Sequence, residues 1–380
     1  MKKKLFTALG LMSGTSMDGL DLSLIKSDGK TEFMSILNDY FEFDGQLKSS
    51  LIDLRSKLLS LKDLEKYGKE INSIEREYTL FVVKSLGKVF KNYKDQIDFI
   101  GFHGQTIYHN SDEKISKQIG NGKILSQMTK KIVVNNFRNE DLNNGGQGAP
   151  LTPIFHKLIS QTMIKAEKIK LPINIINIGG ITNITHICNS KNSSDIKIFA
   201  YDIGPGNCLI DDWIRKNSKK NFDENGNIAN SGKIDELILN QAIENFEIFS
   251  FHKSLDIKDF DISFVKGLSL ENGCATLTEF SAYLIAKGIE FVSRNHDSPE
   301  KLNLICGGGR KNFYLIDSIK KNLQKKVIKN IDEYGLDGDY IESQAFGYLA
   351  IRSFLKLPIS YPETTRCKKP SLGGEISKNF

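Results

Sequence analysis

A strand, a glycine turn and a second strand occur together twice in this chain, and that repetition constrains the fold more than any other feature. Residues 5–12 are apolar and break into Ser13-Gly14-Thr15-Ser16-Met17-Asp18-Gly19; Leu20, Leu22 and Leu24 then alternate with Asp21 and Ser23. An apolar run, a glycine-rich turn and a period of two describe a strand, a tight turn and a half-buried second strand. About 165 residues later the pattern returns, with an apolar run at 173–178, then Gly179-Gly180, then a β-branched, half-polar stretch at 182–188. Two such hairpins, each opening half of a 380-residue chain, predict an internally duplicated fold of two lobes.

Helical patterns fill the intervals. Leu64, Tyr67, Ile71, Ile74 and Tyr78 step by three and four, which predicts one amphipathic helix covering a sheet. Thr276-Leu277-Thr278-Glu279 has the form of a capping box and predicts a long helix starting there, with Phe280, Leu284 and Phe291 on one face. Thr152-Pro153 reads as a helix start, with Thr as the cap and Pro in the first turn. Residues 302–306 read as a buried strand, followed by Gly307-Gly308-Gly309 and a helix from near Asn312. Strands alternating with helices make the class α/β. Three of the eight prolines fall in residues 358–380, which read as an irregular surface segment.

Composition excludes several classes. A hydrophobic fraction of 39% with 23 Phe and 12 Tyr is not that of a disordered or collagen-like chain. The net charge of +6 (52 basic against 46 acidic residues) is spread along the chain, so it argues for neither a nucleic-acid nor a membrane partner. The five cysteines are far apart with no CxxC, which fits neither a disulfide framework nor a zinc ribbon and points to a reducing compartment. Met1-Lys2-Lys3-Lys4 before an apolar run could open a signal peptide, but the run ends in a polar turn with no small-residue cleavage site. It reads as a first strand, and the expected location is the cytoplasm.

Three glycine-rich turns follow predicted strands, at 13–19, 177–180 and 307–309. Glycine lets the backbone approach phosphate oxygens, and exposed N–H groups then bind the charge. Steric need in a turn explains any one of them equally well; three in one α/β chain point to a nucleotide. None matches the P-loop or the dinucleotide fingerprint. Asp18 could hold magnesium, directly or through water. Asp202 stands at the end of a predicted strand before Gly204-Pro205-Gly206-Asn207, as a general base beside a phosphate loop or as an Asx turn. His103 and Gln105 fall on a predicted post-strand loop, suited to sugar hydroxyls or to a local hydrogen bond, and no third ligand makes His103 and His109 a zinc site. Arg138 could clamp a carboxylate and Asp141 could accept from hydroxyls, or the two could be surface ions; the glycine cluster at 145–148 argues against a plain surface loop.

Taken together, the stretches 11–19, 103–106, Phe137-Arg138 with Asp141, 145–156, 177–183, 202–207, 307–309 and Glu342 with Ala345-Phe346 resemble the anhydro-N-acetylmuramic acid kinases, members of the sugar kinase, heat-shock chaperone and actin ATPase superfamily. They occur in the family's order and span nearly the whole chain. The resemblance implies two actin-like (ribonuclease H-like) lobes with an interlobe cleft, the lobes at 1–170 and 171–345 and a segment 346–380 packing back on the first. It implies ATP with Mg2+ as cofactors, Asp18 being the magnesium residue. ATP would be held by Gly14, Thr15, Ser16, Met17, Asp18, Gly19, Leu20 and Asp21, by Gly179, Gly180, Gly204, Gly206 and Asn207, and, near the adenosine, by Gly307, Gly308 and Gly309. The sugar would sit at His103, Gln105, Arg138, Asp141 and Glu342, with Asp202 as catalytic base. The implied reaction is hydrolytic phosphorylation of 1,6-anhydro-N-acetylmuramic acid in cell-wall recycling, with the sugar and ATP as partners. A homodimer is compatible with the family, though no residue argues an interface. The chain departs from the family where a Lys-Ser-Thr-Gly-Arg-Glu stretch becomes residues 253–258, with Ile257 in place of the Arg.

Overall fold

The computed structural model describes residues 4–190, 195–246, 253–296, 302–323 and 326–380. The chain forms two compact units, Met1–Ala166 with Tyr340–Phe380, and Glu167–Asp339.

The first unit holds β1 (Phe6–Ser13), β2 (Gly19–Ser27), β3 (Phe33–Glu42), β4 (Phe99–Asn110), β5 (Ile115–Ile119) and β6 (Ile132–Asn135). β2 pairs antiparallel with both β1 and β3, while β4 is parallel to β1 and β6 is parallel to β4. The short strand Glu375–Ser377 closes the far edge on β6. The second unit holds β7 (Ile173–Ile178), β8 (Ile181–Asn189), β9 (Ile196–Pro205), β10 (Leu302–Cys306) and β11 (Ile328–Asn330). β8 pairs antiparallel with β7 and β9, β10 is parallel to β7, and β11 is parallel to β10. With β5 set aside, which pairs antiparallel with β4 off this path, the order β3-β2-β1-β4-β6 in the first sheet matches β9-β8-β7-β10-β11 in the second, with the same senses. The duplication suggested by the two hairpins is a duplicated actin-like, ribonuclease H-like sheet.

Glycine lets helices close on these sheets. Helix Ile341–Phe354 crosses β1 and β4 so closely that a Cβ on Gly10 would lie 1.8 Å from the Ser343 carbonyl oxygen, and one on Gly101 would lie 2.2 Å from that of Phe346. The opposite face carries helix Gly68–Tyr93, which buries Ile71, Ile74, Tyr78, Val82, Leu86 and Val89. With both faces covered, β2 is almost wholly buried rather than half-buried, and Ser23 satisfies its hydroxyl against Asn38 and Ser343.

Several local expectations change in the folded chain. The stripe from Leu64 to Tyr78 is shared by two helices, Leu61–Lys66 and Gly68–Tyr93, because the chain leaves helical geometry at Tyr67, next to a glycine of poor helix propensity. The long helix of the second unit starts at Leu270, not near Thr276, because Ser269 accepts from the Asn272 N–H. Thr276 lies inside it, donating to the Asn272 carbonyl and accepting from the Asp235 N–H. Thr152 does precede a helix with Pro153 in its first turn, but its own backbone is helical (φ −69°, ψ −20°) and its side chain makes no cap bond. Residues 358–380 are not an irregular surface segment. Ile359, Ser360, Thr365, Cys367 and Ser371 are buried, and strand Glu375–Ser377 joins the sheet. Among the described residues no helix is long and apolar enough to cross a membrane.

Candidate active site

In the first unit the β1–β2 connection is a compact turn in which the Met17 N–H donates to the Gly14 carbonyl, with Met17 at φ 55°. Its carbonyls are tied back to the protein, since Gln105 Nε2 donates to Gly14 O (3.1 Å) and Arg55 Nη1 to Thr15 O (3.1 Å). Thr15 and Ser16 are exposed, and their N–H groups make no hydrogen bond among the described residues. Amides left unpaired on a loop whose carbonyls are turned away can accept an anion. Asp18 pairs with Lys48 Nζ at 2.7 Å. Gly19 makes room for Tyr40, since a Cβ there would lie 2.6 Å from the phenol oxygen. Burial, then the carboxylates of Asp18 and Asp21, push the Tyr40 phenol up from its ordinary value. Leu20 and Asp21 already belong to β2.

Three of the five sugar-side candidates of this unit, His103, Arg138 and Asp141, form one hydrogen-bonded chain through Gly148. His103 and Gln105 lie inside β4, not on a loop after it, because β4 runs on past Gly104 (φ 79°) to pair with β5. Arg138 Nε and Nη2 donate to His103 Nε2 (3.1 and 2.9 Å), so His103 Nδ1 carries the proton given to the Gly104 carbonyl at 2.7 Å. Burial, then the guanidinium, holds the His103 pKa well below its usual value and keeps the ring neutral. Arg138 Nη1 donates to Gly148 O at 2.7 Å. Asp141, 0% exposed, accepts from Gly148 N–H (2.7 Å), Ser360 Oγ (2.5 Å) and Thr365 Oγ1 (2.6 Å). Those hydroxyls come from the C-terminal segment, so the carboxylate shapes the glycine loop and anchors the chain end. Gln105 Oε1 is buried with no partner among the described residues. Glu342 is half-buried in the first turn of helix Ile341–Phe354.

In the second unit the two glycine turns interlock. The N–H groups of Gly206 and Asn207 donate to the carbonyls of Gly180 (2.9 Å) and Gly179 (2.8 Å), and a Cβ on Gly206 would lie 2.2 Å from Gly179 O. The N–H groups of Gly179 and Gly180 make no hydrogen bond among the described residues. Asp202 is inside β9, three residues before its end, because that strand continues through Gly204 (φ 153°) and Pro205. It is 7% exposed, pairs in register with Asn183 across a bulge, and accepts from the Leu255 N–H at 2.9 Å. Asn183 Oδ1 and Thr182 Oγ1, beside it, are buried without a partner among the described residues. Ile257 packs against the apolar cluster around Trp213 and Phe280.

Gly307 (φ 80°) donates to the Gly338 carbonyl, and Gly309 abuts Ile178. A Cβ on Gly308 would meet nothing within 4 Å. Arg310 holds this turn, donating to Gly307 O (3.1 Å), Asp332 (2.7 Å) and Asp339 (2.5 Å). Sequence reasoning gave no site role to Lys48, Arg55, Arg310, Ser360 or Thr365. In a lysine-rich chain no local pattern singles out Lys48, and only the fold brings the two hydroxyls to Asp141.

Compared with known proteins, the chain matches the family described as anhydro-N-acetylmuramic acid kinase over residues 6–379. The chain belongs to this family. It is 53% identical over 381 residues, 100% of both chains, to the anhydro-N-acetylmuramic acid kinase of Pelagibacter ubique (strain HTCC1062). It is 36% identical over 378 residues, 97% of both chains, to that of Brucella suis (strain ATCC 23445 / NCTC 10510). Among solved structures it is similar to the hexokinase from Schistosoma mansoni complexed with glucose (10% identity, 91% of this chain and 85% of that one, TM-score 0.41). As a member of the anhydro-N-acetylmuramic acid kinase family, the chain is a phosphotransferase.

Proposed function

We propose that this chain carries out the ATP-dependent hydrolytic phosphorylation of 1,6-anhydro-N-acetylmuramic acid, in the cytoplasm, as a step in recycling cell-wall peptidoglycan. The single observation that carries the reading beyond family membership is Asp202, a buried carboxylate on β9 beside two interlocked glycine turns. As base, Asp202 takes a proton from water as the water oxygen bonds to the anomeric carbon and the C1–O6 bond breaks. The freed O6 then takes the γ-phosphoryl group and ADP leaves. A positioned base contributes about 10²–10⁴-fold to such a step.

In this reading the unpaired amides of Thr15, Ser16, Gly179 and Gly180 receive phosphate oxygens, with residues 14–21, Gly204, Gly206 and Asn207 shaping those turns. Gly307, Gly308 and Gly309 lie by the adenosine. Gln105, Arg138 and Glu342 orient the sugar, and His103 and Asp141 hold Arg138 and the glycine loop in place. Magnesium fits Asp18 as a companion of the nucleotide. No group of three or more His, Cys, Asp or Glu among the described residues is arranged to hold a metal, and magnesium commonly takes one or two carboxylates with phosphates and water. When bound, it neutralises phosphate charge.

The test is an ADP-release assay with Mg-ATP and the anhydro sugar, followed by mass analysis. A product heavier than the sugar by one water and one phosphoryl group is expected. A gain of the phosphoryl group alone would mean ordinary sugar phosphorylation, and no ADP from protein shown to bind both ligands would mean a nucleotide-gated sensor; either overturns the reading.

A further inference from the structure

One helix, Gly45–Lys57, sets two cations against the β1–β2 turn. Lys48 and Arg55 are seven residues apart, two helical turns, and so share a face. Arg55 grips the turn backbone at Thr15 O, and Gln105 grips it at Gly14 O. The turn is therefore anchored without Lys48, whose ammonium pairs with a side-chain carboxylate, Asp18, at 2.7 Å.

Two physical points argue that this lysine is not there for stability. A cation near a helix N-terminus opposes the helix dipole, and Lys48 is the fourth residue of a helix whose first turn holds no acid, the N-cap Asp44 accepting instead from the Leu47 N–H. The ion pair is also partly solvated, with Lys48 at 22% and Asp18 at 39% side-chain exposure, and such pairs contribute little to stability. What the pair does provide is a partly exposed positive charge on a carboxylate one residue past the turn that carries two unpaired amides.

We propose that Lys48 is a catalytic residue of the phosphoryl transfer, leaving Asp18 for the γ-phosphoryl oxygens when nucleotide binds. The proposal rests on the reading of residues 14–21 as a phosphate turn. During transfer the bond from the γ-phosphorus to the ADP oxygen breaks as the bond to O6 of the sugar forms, and negative charge spreads over the peripheral oxygens. The ammonium keeps its protons and donates hydrogen bonds to those oxygens. Asp18 holds Lys48 beside the turn, so the side chain can swing to the phosphate without reorganisation of the backbone.

The test uses the full chain with Lys48→Met, Lys48→Arg and Gly14→Val, a Cβ on Gly14 meeting nothing closer than 3.9 Å. Lys48→Met is expected to lower kcat about 100-fold with the sugar KM within about twofold and the melting temperature nearly unchanged. Calorimetry in EDTA gives the readout that a structural lysine would not move. Lys48→Met should lose about fivefold or more in affinity for the β,γ-imido analogue of ATP and less than about twofold for ADP, with Lys48→Arg recovering part of the loss. An unchanged kcat, or equal losses for both nucleotides, overturns the proposal. If Gly14→Val weakens both nucleotides while Lys48→Met weakens neither, the phosphate turn stands and Lys48 has no such role. If Gly14→Val weakens neither, the phosphate-turn reading itself fails, and the proposal with it.

Discussion

Replacing Asp141 by Ala gives the sharpest test of the architecture of the first unit. The wild-type carboxylate is fully buried and accepts from a backbone amide and two hydroxyls of the C-terminal segment. A buried donor left unsatisfied costs about 1–3 kcal/mol. The Gly148 N–H is fixed in its loop and bears the full penalty, whereas Thr365 Oγ1 can turn toward the Tyr361 carbonyl, 3.5 Å away. Three donors, of which the Thr365 hydroxyl has a second acceptor within reach, give about 4 kcal/mol in total. At about 2–4 °C per kcal/mol for a unit of this size, the melting temperature should fall by about 10 °C. Asp141→Asn keeps one acceptor oxygen and should lose about half as much; Ser360→Ala and Thr365→Val, which remove donors and not the shared acceptor, should each cost about 1 kcal/mol. Thermal unfolding by circular dichroism measures all four, and limited proteolysis should cut the segment 358–380 first in Asp141→Ala. A shift of less than about 2 °C for Asp141→Ala would refute the idea that one carboxylate ties the glycine loop to the chain end.

Two further outcomes are expected. Asp202→Asn should fold normally, because an amide oxygen can still accept from the Leu255 N–H, yet lose about 10²–10⁴-fold in kcat; retention of more than about a tenth of wild-type turnover would remove the base assignment. Burial alone would raise the carboxyl pKa values of Asp332 and Asp339, but the hydrogen bonds and charge of Arg310, with the Gly338 N–H at Asp332 and Lys311 at Asp339, outweigh it and hold both below the ordinary 3.8. The unfolded chain then binds more protons in that range, so this contribution is complete above the ordinary value and disappears as pH falls through the lowered folded values. Melting curves taken from pH 6 to pH 3 should drop more steeply for wild type than for Arg310→Met, and parallel curves would refute the clamp.

Features set by neighbours in sequence were legible without a structure. The two hairpins show in period-two alternation around glycine turns, and both glycine turns and alternation are local consequences of backbone sterics. The glycine turns at 13–19, 177–180 and 204–207 and the position of Asp202 were visible for the same reason, helped by motifs that occur in the family's order. Whatever depended on distant partners was not. β4 carries His103 and Gln105 within a strand because β5 pairs with it, and Ser269 captures a helix start that Thr276 also appeared to offer on local pattern.

The chain end shows the limit most plainly. Its prolines suggest an irregular surface segment, yet Ser360 and Thr365 are buried on Asp141, more than two hundred residues earlier in the chain. The sequence by itself determined the α/β class, the duplicated hairpins and the chemical types at the site. Tertiary structure alone decided that Asp141 is an internal anchor, that burial and then Arg138 keep His103 neutral and that Lys48 pairs with Asp18 beside the β1–β2 turn. Periodicity and turn chemistry act between near neighbours, whereas burial, desolvation and charge pairing depend on which distant residues the fold brings together.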